Sequence, residues 1–388
     1  MPPLDLGALQ SAVAGRLDEF LADLRVLSGI DCGTHNKAGV NQVAAWVLAR
    51  CAGNGWATRV HARQSGGDIV EARTGAGAPK RILILSHMDT VYPDGVAADR
   101  PMRIDGNRIV GPGTADMKAG LLAGIYAVEV LSTLLNPLPA EIVLLFTADE
   151  EIGAPESREL IEATAKTCDA ALVLEAARAS GAIVGARKGI TTYRLDVQGR
   201  SAHAGVEPEK GRNALLELAH TIVALQALNG TVPGATLNVG LAGGGTALNV
   251  VPDSAWARFE ARAFTPDALA QIDARIHAVA GTRSLPDTFA SLTAYPGHPP
   301  MPRTAQTEGL IAMARGVAHE LGFEVEAVST GGASDACIVA SAGIPVLDGL
   351  GPIGGDDHSP SEWVALDSIV PRVALLAGLI ARIADEPN

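Results

Sequence analysis

Apolar residues recur at helical spacing from Leu9 to Leu27, and again from Gly39 to Cys51, where Val43, Ala44, Trp46 and Val47 mark one face. The run Arg81–Ser86 (RILILS) then reads as a strand buried on both faces. A Gly-Pro turn at Gly111–Thr114 opens a long helical pattern from Met117 to Leu135, which Asn136-Pro137 terminates. Glu141–Thr147 (EIVLLFT) and Ala170–Leu174 (AALVL) repeat the buried-strand pattern. Continuous apolar strands alternating with helices predict an α/β fold, a mostly parallel sheet flanked by helices.

The pattern changes near residue 189. Ile190–Val197 (ITTYRLDV) alternates apolar and polar positions, as a half-exposed antiparallel strand does. Helical spacing follows at Asn213–Leu228, strands at Thr236–Leu241 and Ala255–Ala263, a helix at Pro266–Ala280 and a last strand at Thr288–Thr293. The order β-α-β-β-α-β describes a ferredoxin-like α+β module. Helical and buried-strand patterns then resume at Gln306–Leu321, Ile344–Leu347 and Ile369–Ile383. The chain thus parses into one α/β domain in two segments, residues 1–188 and 299–388, with residues 189–298 inserted between them.

Composition narrows the function. A length of 388 residues exceeds one ordinary core and fits two domains. Hydrophobic content of 47% against 19% charged residues excludes a disordered chain. Thirty Lys and Arg against 43 Asp and Glu leave a net charge of −13, which argues against nucleic acid or an anionic membrane as partner. The opening MPPLDLGALQ has no secretory pattern, and no uninterrupted apolar run approaches the roughly 20 residues of a membrane span. Cys32, Cys51, Cys168 and Cys337 are scattered, without a disulfide-like spacing. A cytoplasmic protein with thiols in a reducing compartment is expected.

Acidic and His residues sit where the predicted strands end. His87-Met88-Asp89 follows RILILS, Asp116 follows the Gly-rich turn, Glu150 and Glu151 follow EIVLLFTAD, Glu175 follows AALVL, and His358 follows a Gly-rich stretch after Ile344–Leu347. Ligands of open α/β sheets bind beyond the carboxyl ends of the strands. Taken singly, each residue has a plainer reading: a hydrogen-bonded His, a solvated Glu-Glu turn, an Asp capping its helix. Together they form a crowd of carboxylates that repel one another unless a cation is present. Two His with several carboxylates and no thiolate suits zinc, cobalt or manganese.

The stretches SHMDTV (Ser86–Val91), GPGTADMKAG (Gly111–Gly120), FTADEEIGA (Phe146–Ala154), LVLEA (Leu172–Ala176), GRSAHAG (Gly199–Gly205), NVVP (Asn249–Pro252) and TGGASDA (Thr330–Ala336) carry a resemblance. In this order, the chain resembles the dinuclear zinc metallopeptidase family that includes glutamate carboxypeptidase (carboxypeptidase G), aminoacylase, succinyl-diaminopimelate desuccinylase and acetylornithine deacetylase. The resemblance implies a zinc exopeptidase-like catalytic domain with two metals. His87 and Glu175 would hold one, Glu151 and His358 the other, and Asp116 would bridge them. Asp89 would orient the His87 imidazole. Glu150 would be the general base, taking a proton from the attacking water and passing it to the leaving amine.

The same resemblance makes the inserted domain a lid and dimerisation module with hinges near residues 189 and 299. His203 would reach the partner subunit's site and stabilise the tetrahedral oxyanion. Asn249, Arg262, Gly332 and Lys188 would hold the substrate, Arg262 by presenting a guanidinium fork to its carboxylate. The glycine run Gly243–Gly245 lacks the spacing and strand-to-helix setting of a nucleotide loop. The expected activity is hydrolysis of an amide bond in N-acyl amino acids or small peptides by a homodimer. Release of a C-terminal amino acid of the Glu or Asp kind is favoured, since the layout looks closest to the glutamate carboxypeptidase branch. Deacetylation, desuccinylation and di- or tripeptide cleavage are the alternatives within the family; a non-catalytic, metal-bound binding protein is the alternative outside it.

Overall fold

The computed structural model describes residues 4–386. By its internal packing the chain divides into two compact units, residues 1–185 with 303–329 and 334–388, and residues 186–302 with 330–333.

The first unit is built on a six-stranded sheet. Its strands are Ala57–His61 (β1), Ile69–Thr74 (β2), Arg81–His87 (β3), Glu141–Thr147 (β4), Ala170–Val173 (β5) and the short Val346–Leu347. They lie in the order β1, β2, β4, β3, β5, Val346–Leu347. The two pairings at the β1 side are antiparallel, and the three among β4, β3, β5 and Val346–Leu347 are parallel. Ile82, Leu83, Ile84 and Leu85 are all buried, as the unbroken apolar run predicts for a strand covered on both faces.

The predicted long helix forms over Ala119–Leu134 (α1) and is buried along most of its length. With the irregular turn before it, Thr114–Leu134 is long and apolar enough by composition to span a bilayer, yet 83% of its apolar window is packed inside this unit. Its close fit depends on Gly120, where a Cβ would lie 1.9 Å from the carbonyl oxygen of Leu174. None of the four cysteines is paired in a disulfide, and all four are buried.

The second unit is an antiparallel sheet of Gly189–Gln198 (β6), Thr236–Gly244 (β7), Ser254–Ala263 (β8) and Phe289–Pro296 (β9), in the order β7-β8-β6-β9. Helices Ala214–Gln226 (α2) and Pro266–Gly281 (α3) complete the ferredoxin-like succession. Alternation along β6 puts Tyr193, Leu195 and Val197 into a core with Phe259 of β8, Leu218 of α2 and Ile272 of α3. Tyr193 stacks on Phe259 with ring centroids 5.0 Å apart.

The structure departs from the sequence pattern in several places, among them the paired strands Ile183–Arg187 and Ala327–Thr330 and the helices Arg158–Ala165 and Asp335–Ser341, which were not predicted. The first helical stretch is two helices, Leu6–Ala14 and Leu17–Ser28, broken at Gly15-Arg16. Strands β1 and β2 were not predicted, because the exposed edge strand β1 (ATRVH) and the charged β2 (IVEART) lack a continuous apolar run. A small antiparallel sheet also joins Arg103–Asp105 and Arg108–Val110 to Gly354–Gly355 and Trp363–Ala365, segments of two or three residues that leave too short a pattern to read.

Replacing Gly120 by Ala should drive its methyl into the Leu174 carbonyl and cost about 1–3 kcal/mol. Urea unfolding of the Gly120→Ala protein checks this; unchanged stability would mean that α1 shifts freely against the strand end.

Candidate metal centre

Strand β3 ends on His87, and the chain immediately turns, so that the imidazole stands over the carboxyl edge of the parallel strands. Its Nε2 lies 2.9 Å from Asp116 Oδ1. The other oxygen of the same carboxylate, Oδ2, lies 3.1 Å from His358 Nε2. One carboxylate therefore holds an imidazole on each oxygen. Glu151 Oε2 approaches His358 Nε2 to 3.2 Å, and Glu175 Oε1 stands 3.8 Å from His87 Nε2. His87, Asp116 and Glu151 can each offer a ligand atom within 4.8 Å of the others.

The electrostatics of this group ask for positive charge. Burial works against protonating His87, but Asp116 and Asp89 outweigh it and raise the imidazole well above its ordinary pKa. Hydrogen bonds to Asp116 and Glu151 lift His358 to about 11. Burial pushes Asp116 up, but the two imidazoles overcome this and bring it below its usual value. Glu151 rises, chiefly through burial, and its Oε1 is buried with no hydrogen-bond partner among the described residues. An orphaned carboxylate oxygen beside two imidazoles and a shared Asp is a donor set that fits divalent cations of the zinc, cobalt or manganese kind.

Each of these side chains is fixed from behind. Asp89 is fully buried; its Oδ1 is 3.4 Å from His87 Nδ1 and accepts the Glu150 N–H, while Oδ2 accepts the Glu151 N–H. The His87 Nδ1 is closer still to the Asp89 carbonyl oxygen, at 3.0 Å. Asp89 thus anchors the Glu150-Glu151 turn while its carboxylate faces the His87 imidazole. Thr34 donates its hydroxyl to Asp89 Oδ2 at 2.6 Å. Asp149 accepts the Glu156 and Ser157 N–H groups and the Ser157 hydroxyl, closing the far side of that turn.

Asp116 lies in the irregular turn Thr114–Lys118, and Glu362 holds this turn. The buried Glu362 carboxylate accepts N–H groups from Gly113, Ala115 and Asp116 at 2.8–3.0 Å and the Tyr92 hydroxyl at 2.6 Å. His358 itself adopts φ 62°, a left-handed conformation uncommon outside glycine and of the kind that clusters at functional sites. Sequence reasoning missed both Thr34 and Glu362, whose partners lie 55 and about 250 residues away along the chain.

Glu150 is raised well above the ordinary carboxylate range, first by burial and further by Glu175, Asp335 and Asp116, against a smaller opposing pull from His87. Its carboxyl oxygen lies within 4.8 Å of that of Asp335. Asp335 is buried, accepts the Thr147 hydroxyl at 2.9 Å, and is pushed up to about 7 mainly by burial.

The remaining candidates all lie in the second unit. Arg262, on β8, pairs with Glu260 at 2.7 Å and donates to the Gly331 carbonyl at 2.8 Å. Gly332 beside it accepts from the Arg187 guanidinium at 3.2 Å. Lys188 donates to the Thr236 hydroxyl at 3.0 Å, stands over the Phe264 ring, and has its pKa lowered by burial and by Arg262. His203 is exposed on the loop bridging to Val250; its Nδ1 accepts the Gly205 N–H at 3.2 Å, and the Asn249 carbonyl holds the Ala204 N–H. Arg262, Lys188 and the 331–332 turn thus form one cationic, glycine-lined group, and His203 and Asn249 form another.

Comparison with known proteins places this geometry. Residues 83–382 match Peptidase family M20/M25/M40. The chain belongs to that family, whose members are metal-dependent hydrolases. It is 28% identical over 363 residues to carboxypeptidase G2 of Pseudomonas sp. (strain RS-16), covering 92% of this chain and 87% of the relative. It is 31% identical over 319 residues to the succinyl-diaminopimelate desuccinylase of Bordetella pertussis, covering 77% of this chain and 82% of the relative. A tripeptidase of Staphylococcus aureus has the same fold, with a TM-score of 0.81 at 22% identity over 95% of this chain and 99% of the other.

Two outcomes test the site's construction. Glu362→Ala would leave three buried N–H groups unpaired and release the Asp116 turn. Stability should fall by about 2 kcal/mol or more, and zinc affinity, read by chelator competition, by about 10–100-fold. Asp335 has a folded-state pKa of about 7 against its ordinary 3.8, so the native protein holds an extra proton between those values and loses stability as pH rises through them. Asp335→Asn should therefore stabilise the metal-free protein at pH 8 by about 1–3 kcal/mol and change it little at pH 4. Equal effects at both pH values in urea unfolding would show that folding leaves the Asp335 proton affinity unshifted.

Proposed function

We propose that the protein is a dinuclear metal-dependent amidohydrolase that cleaves N-acyl amino acids or small peptides and releases the C-terminal amino acid. The observation that carries this reading is the Asp116 carboxylate, with one imidazole at each oxygen. A carboxylate so placed suits a bridge, with His87 and Glu175 on one side and Glu151 and His358 on the other. Two zinc ions held there, or cobalt or manganese, would polarise the scissile carbonyl and acidify the attacking water.

The chain's own residues supply the rest. Glu150 is not among the residues that face His358, and its raised affinity for a proton equips it to accept one from water. The water's O–H bond breaks toward Glu150 as its oxygen bonds the carbonyl carbon. The same proton then goes to the amide nitrogen as the C–N bond breaks, so that an amine and a carboxylic acid form; the acid's remaining proton, the water's second, passes to the amine, and carboxylate and ammonium leave. Asp89 fixes Glu150 and Glu151 through adjacent backbone N–H groups, which keeps the base and the ligand from exchanging positions. His203, contributed by the partner of a homodimer, would donate a hydrogen bond to the tetrahedral oxyanion.

For the leaving amino acid, Arg262, Lys188, Asn249 and Gly332 are the proposed carboxylate-binding residues. The guanidinium of Arg262 is already ordered by Glu260, which lowers the entropy lost on binding a carboxylate. A carboxyl-terminal Glu or Asp suits two neighbouring cations, Arg262 and Lys188. The carboxypeptidase and the succinyl-diaminopimelate desuccinylase among the relatives support a peptide or acyl amino acid as substrate. The tripeptidase of the same fold supports peptide cleavage as the second reading.

Chelation should abolish hydrolysis, and zinc, cobalt or manganese should restore it. Glu150→Gln should retain bound metal by elemental analysis while kcat falls by about 10²–10⁴-fold. Full turnover in that variant would remove Glu150 from its proposed role.

A further inference from the structure

The helix Ile369–Asp385 of the first unit carries a buried cation to which the amidohydrolase reading gives no task. Arg372 is only 2% exposed. No carboxylate acts on it: burial alone moves its pKa, down to about 10, so the guanidinium stays charged at neutral pH. A buried cation without a counter-ion is costly. What it offers in return is a planar fork of donors that no neutral side chain can match.

The fork serves one loop and the turn beside it. Arg372 Nε donates to the Gly351 carbonyl at 3.0 Å and Nη2 to the Gly349 carbonyl at 2.6 Å, while Nη1 reaches the Gly181 carbonyl at 3.3 Å. Gly349, Leu350, Gly351 and Pro352 are all buried and belong to no helix or strand, so their carbonyls need donors from elsewhere. Ser368, four residues before Arg372 and so on the same face, accepts the Ile353 N–H on its hydroxyl at 3.0 Å.

On its other side the loop is bonded to the backbone around Glu175. The Gly351 N–H donates to the Glu175 carbonyl at 2.9 Å, the Ala177 N–H to the Pro352 carbonyl at 3.1 Å, and the Gly354 N–H to the Ala177 carbonyl at 3.1 Å. A Cβ at Gly351 would stand 2.7 Å from the Leu174 carbonyl oxygen and 2.9 Å from that of Glu175, so only glycine lets the two backbones come this close. His358 follows three residues beyond the strand Gly354–Gly355. One buried guanidinium therefore stands behind the loop that joins Glu175 to His358, two residues that the proposed arrangement gives to different ions.

We propose that Arg372 is a positioning residue for the metal centre: it fixes the segment 349–354, and with it the place of Glu175 and, further along the chain, of His358. The inference rests on the ligand set of the amidohydrolase reading. Without the fork, three buried carbonyls lose their donor and the loop relaxes toward other partners, carrying the Glu175 backbone with it. Ligands of both proposed ions then lose their spacing.

Zinc affinity would be read by chelator competition, and ligand geometry by the visible spectrum of the cobalt-loaded protein. Arg372→Lys keeps the charge but cannot reach all three carbonyls; it should lower zinc affinity about 10–100-fold and alter the cobalt spectrum. Arg50→Met breaks the ion pairs of Arg50 with Glu19 and Glu129 in the same unit, and should lower stability while leaving both readouts unchanged. A folded Arg372→Lys protein with wild-type affinity and spectrum would overturn the inference, and so would an equal loss of affinity in Arg50→Met. If Arg372→Lys does not fold, Ser368→Ala decides: weaker zinc binding is expected, and unchanged binding overturns the positioning role. Wild-type protein that binds neither zinc nor cobalt would instead overturn the amidohydrolase reading, and the positioning role with it.

Discussion

Everything around the site answers to one electrostatic constraint: five carboxyl groups and two imidazoles are packed together, all of them buried or half-buried except the exposed His358. Asp116 meets both imidazoles, Glu151 meets one, Glu175 stands near the other, and Glu150 and Asp335 sit carboxyl to carboxyl. Like charges at such distances raise one another's pKa, and burial raises them further. The crowding raises the proton affinity of His87, His358, Glu150 and Asp335 above their ordinary values. Divalent cations would supply the same positive charge without blocking the ligand atoms, which is why the family reading and the local electrostatics point the same way.

That constraint explains what lies behind the site. A carboxylate under repulsion swings away unless its backbone is pinned, so the pinning groups are themselves buried and multiply bonded. Asp89 takes two successive N–H groups of the Glu150-Glu151 turn. Glu362 takes three from the turn carrying Asp116. Both are acids that ligate nothing in the arrangement proposed; each satisfies several donors at once and so rigidifies one ligand-bearing loop. The scaffold around this chemistry is built from carboxylates as much as the chemistry is.

What could be read in the sequence follows from range. His87, Asp116, Glu151, Glu175 and His358 were visible because each follows a buried apolar strand or a Gly-rich turn, and strand ends are where open α/β sheets bind ligands. The sheet strands Arg81–His87 and Glu141–Thr147 were equally plain, being unbroken apolar runs. Roles were not visible from spacing: nothing in the dipeptide Glu150-Glu151 says which member moves protons, and the resemblance to known hydrolases supplied that. Glu362 and Thr34 left no signal, because a single Glu or Thr acquires meaning only from a partner far away in the chain. Strands β1 and β2 were lost for the opposite reason, their charged residues masking a sheet edge.

The proposed division of labour between Glu150 and Glu151 follows from which partners each can reach. Glu151 has His358 at 3.2 Å, whose hydrogen bond offsets part of its burial penalty; Glu150 has no imidazole hydrogen bond to do the same, and a carboxyl neighbour within 4.8 Å, Asp335, is itself pushed up to about 7. Two adjacent residues of one type thus sit in environments that push their proton affinities apart, which is how paired carboxyls acquire separate tasks. The stronger proton acceptor is the one proposed for acid–base work. The net charge of −13 hides this arrangement, since the acids at the centre are those whose charge is locally opposed, and Arg262 and Lys188, the cations proposed for a substrate carboxylate, lie on a different part of the chain. A protein acidic overall can therefore select an acidic substrate, provided that its cations are few, ordered and placed where the substrate's anion must go.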